Sequence, residues 1–263
     1  MYYVDYHLHP YSHGEKAVRP IHNLERLRQF VEYAKKINIK EIGFSDHEKY
    51  LDSYKWENLF KIKEETDILI KIGVEIDYKS GREEEIYNLL NKYPLDFAIG
   101  SVHHIGDWNF DHPDYRDRFD EWNINELYKK YFTEIKNAVI SGLFNIIGHL
   151  DLIKIYGHRI SPHKITRLVE PIMQEIKTNE QALEININGL NKPVQEIYPS
   201  KHILKIAAQN NVPLTFASDA HQPERIGENI DYIYNMINLL GYKKIAIFED
   251  RKMKLHNIKI EKE

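Results

Sequence analysis

The sequence predicts an α/β fold, with parallel strands closed into a barrel and helices packed outside it. Three observations carry that expectation. Short apolar runs recur along the whole chain, amphipathic segments with helical spacing lie between them, and histidines and carboxylates stand at the C-terminal ends of the runs. Seven such runs and a possible eighth in 263 residues favour a β/α barrel over an open doubly wound sheet.

Taken in order, "YYVDYH" at 2–7 is the first strand, and "NLERLRQFVEYAKKI" at 23–37 the first helix, with Leu24, Leu27, Phe30, Val31 and Ala34 on one face. "EIGFSD" at 41–46, "IGVEID" at 72–77 and "DFAIGS" at 96–101 follow as buried strands. The stretch 105–123, "IGDWNFDHPDYRDRFDEWN", is too polar for core and too aromatic for a flexible linker, and reads as a long loop over the active-site face. There Trp108, Phe110 and Trp122 either shape a pocket or pin the loop to the barrel. A helix at 126–142 ends on Gly142. Strands at 144–149, 182–187 and 213–218 complete the seven, and "KKIAIF" at 243–248 is the eighth candidate. No linker or low-complexity block interrupts the pattern, so residues 1–263 are expected to form a single domain.

Composition narrows the function. A formal net charge of -4 argues against a general nucleic-acid binder, which needs a basic surface to displace counterions. With no cysteine, neither thiolate metal ligation nor a cysteine nucleophile is available, so any metal is held by nitrogen and oxygen. No run approaches the length of a membrane span and no signal-like N-terminus is seen, which makes a cytoplasmic location without a membrane partner the expectation.

Barrel enzymes place reactive side chains at the C-terminal strand ends. Strand one ends in His7 and His9, two apart and so on one side of an extended chain, with His13 in the loop beyond. Strand two runs into Asp46-His47, strand three carries Glu75 and Asp77, and strand four runs into His103-His104. Strand five ends in His149 and Asp151, and strand seven in Asp219-Ala220-His221. A single histidine after a strand is more often a capping or hydrogen-bonding group than a ligand, and Asp219 alone reads as a helix cap. Together they do not, because converging imidazoles without a cation repel on protonation, whereas a divalent metal uses neutral imidazole and ionised carboxylate directly. So many ligands exceed one ion's needs and suit two or three, with the two oxygens of Glu75 as the natural bridge. Clustered divalent ions suit phosphate-ester hydrolysis: they lower the pKa of a water, bind the phosphoryl oxygens and neutralise the leaving alkoxide.

The ordered motifs "DYHLH", "SDH", "GVEID", "GSVHH", "GHLDL" and "SDAH" resemble the polymerase and histidinol phosphatase (PHP) family of metal-dependent phosphoesterases over residues 5 to 227. "WNFD", "ELYKKYF", "LEININGLNKPVQEIYPS" and "SDAHQPERIG" are similar to its histidinol-phosphate phosphatase branch. The resemblance implies a distorted (β/α)7 TIM-like barrel. It also implies hydrolysis of L-histidinol phosphate, a small phosphate monoester of histidine biosynthesis, at a centre of two or three zinc, iron or manganese ions.

Carried over, the metal ligands are His7, His9, His13, His47, Glu75, His103, His149, Asp219 and His221, with Glu75, Asp219 and His221 also catalytic. His13 sits at a shortened spacing, and its alternative is a partner behind a ligand or a position filled by water. Asp5, Asp77 and Asp151 are expected to orient ligating histidines. For the substrate, Arg159 matches an arginine of the branch and is the first choice for phosphate. Lys192, Arg225, Asn186 and His104 are the other candidates. Asn191 departs from the branch, which often has arginine there. The alternatives are a PHP phosphoesterase acting on another small phosphate or a nucleotide, and a metal-binding regulatory module without turnover. A metal-dependent amidohydrolase is disfavoured, since no lysine stands at a strand end where that family carries a carbamylated one.

Overall fold

The structure is a computed structural model and describes residues 1–11 and 19–259. In chain order its elements are β1 (Tyr3–Leu8), α1 (Leu24–Lys36), β2 (Ile39–Phe44), α2 (Trp56–Glu64), β3 (Leu69–Asp77), α3 (Glu83–Lys92) and β4 (Phe97–Ser101). A small insertion follows, β5 (His104–Ile105) and β6 (Trp108–Asn109), and then α4 (Ile124–Ile140), β7 (Ile146–Ile147), α5 (Pro162–Thr178), β8 (Ala182–Asn186), α6 (Lys201–Gln209), β9 (Leu214–Ala217) and α7 (Ile230–Leu239). The chain closes on β10 (Lys244–Glu249) and β11 (Lys252–Asn257).

Seven strands pair in parallel in the order β1-β2-β3-β4-β7-β8-β9. The sheet curls until its ends meet: Leu8 bridges Ala220, with the His9 amide donating to the Ala220 carbonyl at 2.9 Å and the Ala220 amide to the His7 carbonyl at 3.2 Å. The result is a nearly closed seven-stranded barrel of TIM-like form, as expected. The helices cover it with the apolar stripes read in the sequence. α1 buries Leu27, Phe30, Val31 and Ala34, and Asn23 caps it by accepting from the Glu25 and Arg26 amides. α4 buries Leu127, Tyr128, Tyr131, Phe132 and Ile135.

Near the strand starts the interior is filled by aromatics. Phe97 of β4 packs edge-on against Tyr6 of β1, with ring centroids 5.1 Å apart. It fits because β2 and β3 offer Gly43 and Gly73 there: a Cβ on Gly73 would lie 2.3 Å from the Phe97 ring, and one on Gly43 2.6 Å from it. β1 carries an extra residue at this level, since Asp5 pairs with Ile42 and Leu8 with Phe44. Such a bulge re-aims side chains. Here it lets two successive residues work inside the barrel, Tyr6 toward Phe97 and His7 toward Glu75.

The run at 243–248 is not an eighth barrel strand. It forms β10 and pairs antiparallel with β11 across a two-residue turn, Asp250-Arg251, both with positive φ. Such a primed turn matches hairpin twist and sends the chain straight back, so β10 takes β11 as its ladder partner although α7 precedes it as a crossover helix would, and the place beside β9 in the barrel is taken by β1 through the Leu8–Ala220 bridge. The hairpin closes the N-terminal end of the barrel. Phe248 packs on Tyr6 at 5.1 Å, and its amide donates to the Tyr6 hydroxyl at 2.9 Å.

The segment 105–123 is more ordered than a long loop, holding the β5–β6 hairpin and a 3-10 helix at Pro113–Glu121. Trp108 and Phe110 are buried, and the Trp108 indole donates to the Tyr115 carbonyl at 3.1 Å. These aromatics pin the segment, while Asn109, Asp111, His112 and Pro113 line the cavity over the barrel.

Candidate metal centre

The strand ends converge on the carboxylate of Glu75, which is buried in β3. Its Oε2 lies 3.4 Å from His7 Nε2, 3.6 Å from His9 Nε2 and 3.0 Å from His47 Nδ1. Its Oε1 lies 3.2 Å from His149 Nε2 and 3.5 Å from His103 Nε2. Each oxygen thus faces its own set of imidazoles, the disposition of a bridging ligand. Asp219 adds an oxygen 3.5 Å from His9 Nε2 and 3.7 Å from His221 Nδ1. Its φ of +54° turns the backbone sharply after β9, bringing Asp219 and His221 onto the same centre. Three groups with ligand atoms in mutual reach emerge: His7, His9 and Glu75; His9, Asp219 and His221; Glu75, His103 and His149. Glu75 and His9 each belong to two of them.

A ring of carboxylates behind the imidazoles sets their direction. Glu184 of β8, wholly buried, accepts from His7 Nδ1 at 2.7 Å, from the His149 amide at 3.0 Å and from Asn186 Nδ2 at 2.8 Å. A carboxylate only accepts, so His7 keeps its proton on Nδ1 and turns the Nε2 lone pair inward. Asp46 lies 3.7 Å from His9 Nδ1 and also accepts from His22 Nε2 at 2.9 Å. Asp77 accepts from the His103 amide at 3.1 Å and lies 2.6 Å from His104 Nδ1.

Electrostatics test whether a cation fits. Burial opposes it, yet the carboxylates of Glu184 and Glu75 hold His7 well above the ordinary imidazole range. His103, likewise against burial, is raised to about 10 by Asp77 and Glu75. His47 moves the other way, pushed down to about 3 by burial against the opposing pull of Glu75, with His9 and His103 adding to the fall. Burial would raise Glu75, but His47, His7 and His103 hold it well below the usual carboxylate range. The cluster demands positive charge and has too few protons to share evenly. The buried Nε2 of His7 lies 3.4 Å from Glu75 Oε2 without a hydrogen bond to any described residue, so in its neutral form, with a lone pair on Nε2, the two need a cation between them. The donor set, imidazole nitrogen and carboxylate oxygen without sulfur, suits divalent metal ions.

The other expected residues are placed as follows. His13 lies outside the described residues. His104 and Lys192 line a cavity of about 450 Å³ above the cluster, together with Lys49, Asn188, Tyr198, Leu152 and Ile155. Arg159 is half exposed and pairs with Glu196 at 2.6 Å, away from the cavity wall. Arg225 pairs with Glu228 at 2.8 Å and reaches Asn188 Oδ1 at 3.2 Å, behind the wall. Asn186 is buried and braces Asn188 and Asp219. Asn191 is exposed, with its amide on Glu228.

Of the three aspartates expected behind histidines, only Asp77 takes that place. Asp5 accepts from the Ser218 and Gly227 amides and so holds both ends of the segment 219–226, which carries Asp219 and His221. Asp151 pairs with the buried Lys154 at 2.8 Å. Glu184 and His22 escape the sequence reading. The one signal for Glu184 was a charged residue inside the apolar run "ALEIN", which a buried strand tolerates only with partners.

Comparison with known proteins agrees with this geometry. The PHP domain model matches residues 5–188. A probable histidinol-phosphatase of Deinococcus radiodurans is 34% identical over 184 residues, covering 70% of this chain and 69% of that protein. The histidinol-phosphatase of Bacillus subtilis is 29% identical over 77% of this chain and 90% of its own. Among solved structures, the histidinol phosphate phosphatase of Lactococcus lactis subsp. lactis, crystallised with zinc, L-histidinol and phosphate, superposes with a TM-score of 0.81 at 24% identity, covering 96% of this chain and 98% of that one. With the family model spanning well over half of the sequence and the strand-end motifs gathered on one carboxylate, the chain belongs to the PHP domain family.

Proposed function

We propose that this chain is a metal-dependent phosphoric monoester hydrolase, a histidinol-phosphatase that converts L-histidinol phosphate and water to L-histidinol and phosphate. The observation that carries the chemistry is Glu75, whose two oxygens each face a separate set of buried and part-buried imidazoles at the floor of the cavity. The substrate follows from the relatives, which are histidinol-phosphatases.

Two or three divalent ions, zinc, iron or manganese, would be held by His7, His9, His47, Glu75, His103, His149, Asp219 and His221. Bound there, they would supply Lewis acidity toward the phosphoryl oxygens and acidify the attacking water. The protein does the rest. Glu184 and Asp77 fix the tautomer and aim of the imidazoles, so little reorganisation accompanies the reaction. Asp219 Oδ1, kept ionised against burial by His7, His221 and His9, would accept the proton of the attacking water and, with His221 Nδ1 3.7 Å away, return it to the leaving alkoxide as the P–O ester bond breaks. Lys192 and Lys49 on the cavity wall add positive charge for the phosphate dianion.

Phosphate release from metal-loaded protein tests the reading. kcat/KM for histidinol phosphate is expected to exceed that for sugar and nucleotide phosphates by at least about tenfold, or ~1.4 kcal/mol of transition-state discrimination. Preference for another phosphate removes the substrate assignment. A Glu75→Gln variant as active as the wild type would leave a metal-binding module in place of an enzyme.

A further inference from the structure

The cavity wall carries one carboxylate that no side chain among the described residues engages. Glu75 and Asp219 face the imidazole cluster, Asp77 is engaged by His103 and His104, and Glu48 is paired with Arg82 at 2.9 Å. Asp111 also lines the cavity, half-buried, yet its carboxylate has no hydrogen bond or ion pair with any described residue. Its backbone, by contrast, is fixed from three sides. The Asp111 carbonyl accepts from the Tyr156 hydroxyl at 2.8 Å, the neighbouring Phe110 is fully buried edge-on against Tyr131, and the Phe110 amide donates to the His103 carbonyl at 3.2 Å. A rigidly mounted carboxylate on the cavity wall, without a partner among the described residues, is available to a cation that enters the cavity.

We propose that Asp111 is a specificity residue, which binds the ammonium group of a phosphate monoester carrying its amine on the carbon next to the ester-bearing one. This rests on the proposed function and adds to it the part of the substrate that is recognised. The reach is suitable. Asp111 is close enough to influence His103, at the rim of the metal cluster, and in an N–C–C–O–P skeleton the ammonium lies only a few bonds from the phosphorus that the cluster engages. Lys192 and Lys49 serve the anionic end and Asp111 the cationic end, so the cavity has a polarity that matches a zwitterionic substrate and disfavours sugar phosphates.

The test compares wild type and Asp111→Asn on two matched pairs: histidinol phosphate against its des-amino analogue, and O-phosphoethanolamine against ethyl phosphate. Because the carboxylate has no partner in the fold, the variant is expected to fold and melt as the wild type does. Asp111→Asn should lower kcat/KM for the amino substrates about thirtyfold, chiefly through KM, and change the amine-free ones less than about threefold. In calorimetric titration, L-histidinol should bind the variant correspondingly more weakly.

Equal losses on both members of a pair, no loss on the amino member, or a wild type indifferent to the amine each overturn the proposal. Should the wild type favour O-phosphoethanolamine over histidinol phosphate while the Asp111 effect persists, the substrate assignment fails and the role of Asp111 stands.

Discussion

At the residue scale the centre depends on side chains that do not themselves reach the cavity. Glu184 is the clearest case, because one buried carboxylate serves His7 through its ring, His149 through its backbone and Asn186 through its amide. Glu184→Gln replaces one acceptor oxygen by an NH₂ group that must face one of these donors. Metal affinity, measured by chelator competition, is expected to fall about ten- to a hundredfold, with the far-ultraviolet circular dichroism unchanged. Unaltered affinity would mean that His7 is held by the barrel alone.

The residues that converge on Glu75 were legible in the sequence as candidates because HxH, "GVEID" and "SDAH" follow strands and their chemistry is unusual in such density. Of their supports only Asp77 was. Glu184 looks like any polar residue in a strand, and the partner of Asp46, His22, comes from a separate turn before α1. Arg159 shows the converse: a motif places it in sequence, but Glu196 takes its guanidinium in space.

At the scale of elements, the strands were readable from apolar runs and their boundaries shifted by only a few residues. The bulge in β1 was invisible, since it is a property of pairing between Asp5–Leu8 and Ile42–Phe44 and leaves no mark in composition. The hairpin of β10 and β11 was misread for a similar reason. An apolar run does not declare its partner, and here the Asp250-Arg251 turn folds β11 back onto β10 while β1 takes the place beside β9.

The aromatic layer beneath the centre yields a prediction at this scale. Gly73→Ala would push a methyl into the Phe97 ring, and overpacking of this kind typically costs about 1–3 kcal/mol. Urea denaturation should show the loss. Combining Gly73→Ala with Phe97→Leu should recover part of it, giving a non-additive double-mutant cycle. Additive losses would place the strain elsewhere.

For the whole molecule, the parallel barrel order was foreseeable from the repeated strand-then-helix pattern, whereas the means of closure was not. β1 and the segment after β9 meet through few backbone hydrogen bonds, at Leu8 and Ala220. His7 and His9 lie on one side of that seam and Asp219 and His221 on the other, with ligand atoms of His9, Asp219 and His221 in mutual reach. Adding zinc or manganese to chelator-stripped protein is therefore expected to raise Tm in proportion to the logarithm of metal concentration. It should also slow hydrogen exchange at the His9 and Ala220 amides more than at amides inside β3 and β4. Uniform slowing would show that the metals stabilise the fold without acting on the seam.

The position of those four residues ties activity to architecture in a particular way. Residues far apart in the sequence would be joined through one chelate, so a bound ion would act as a removable clasp on the long stretch of polypeptide between them, shrinking the freedom of the open chain much as a covalent cross-link does. A mutation that loosens the clasp is then felt twice, once in turnover and once in lifetime, and selection on either property guards both.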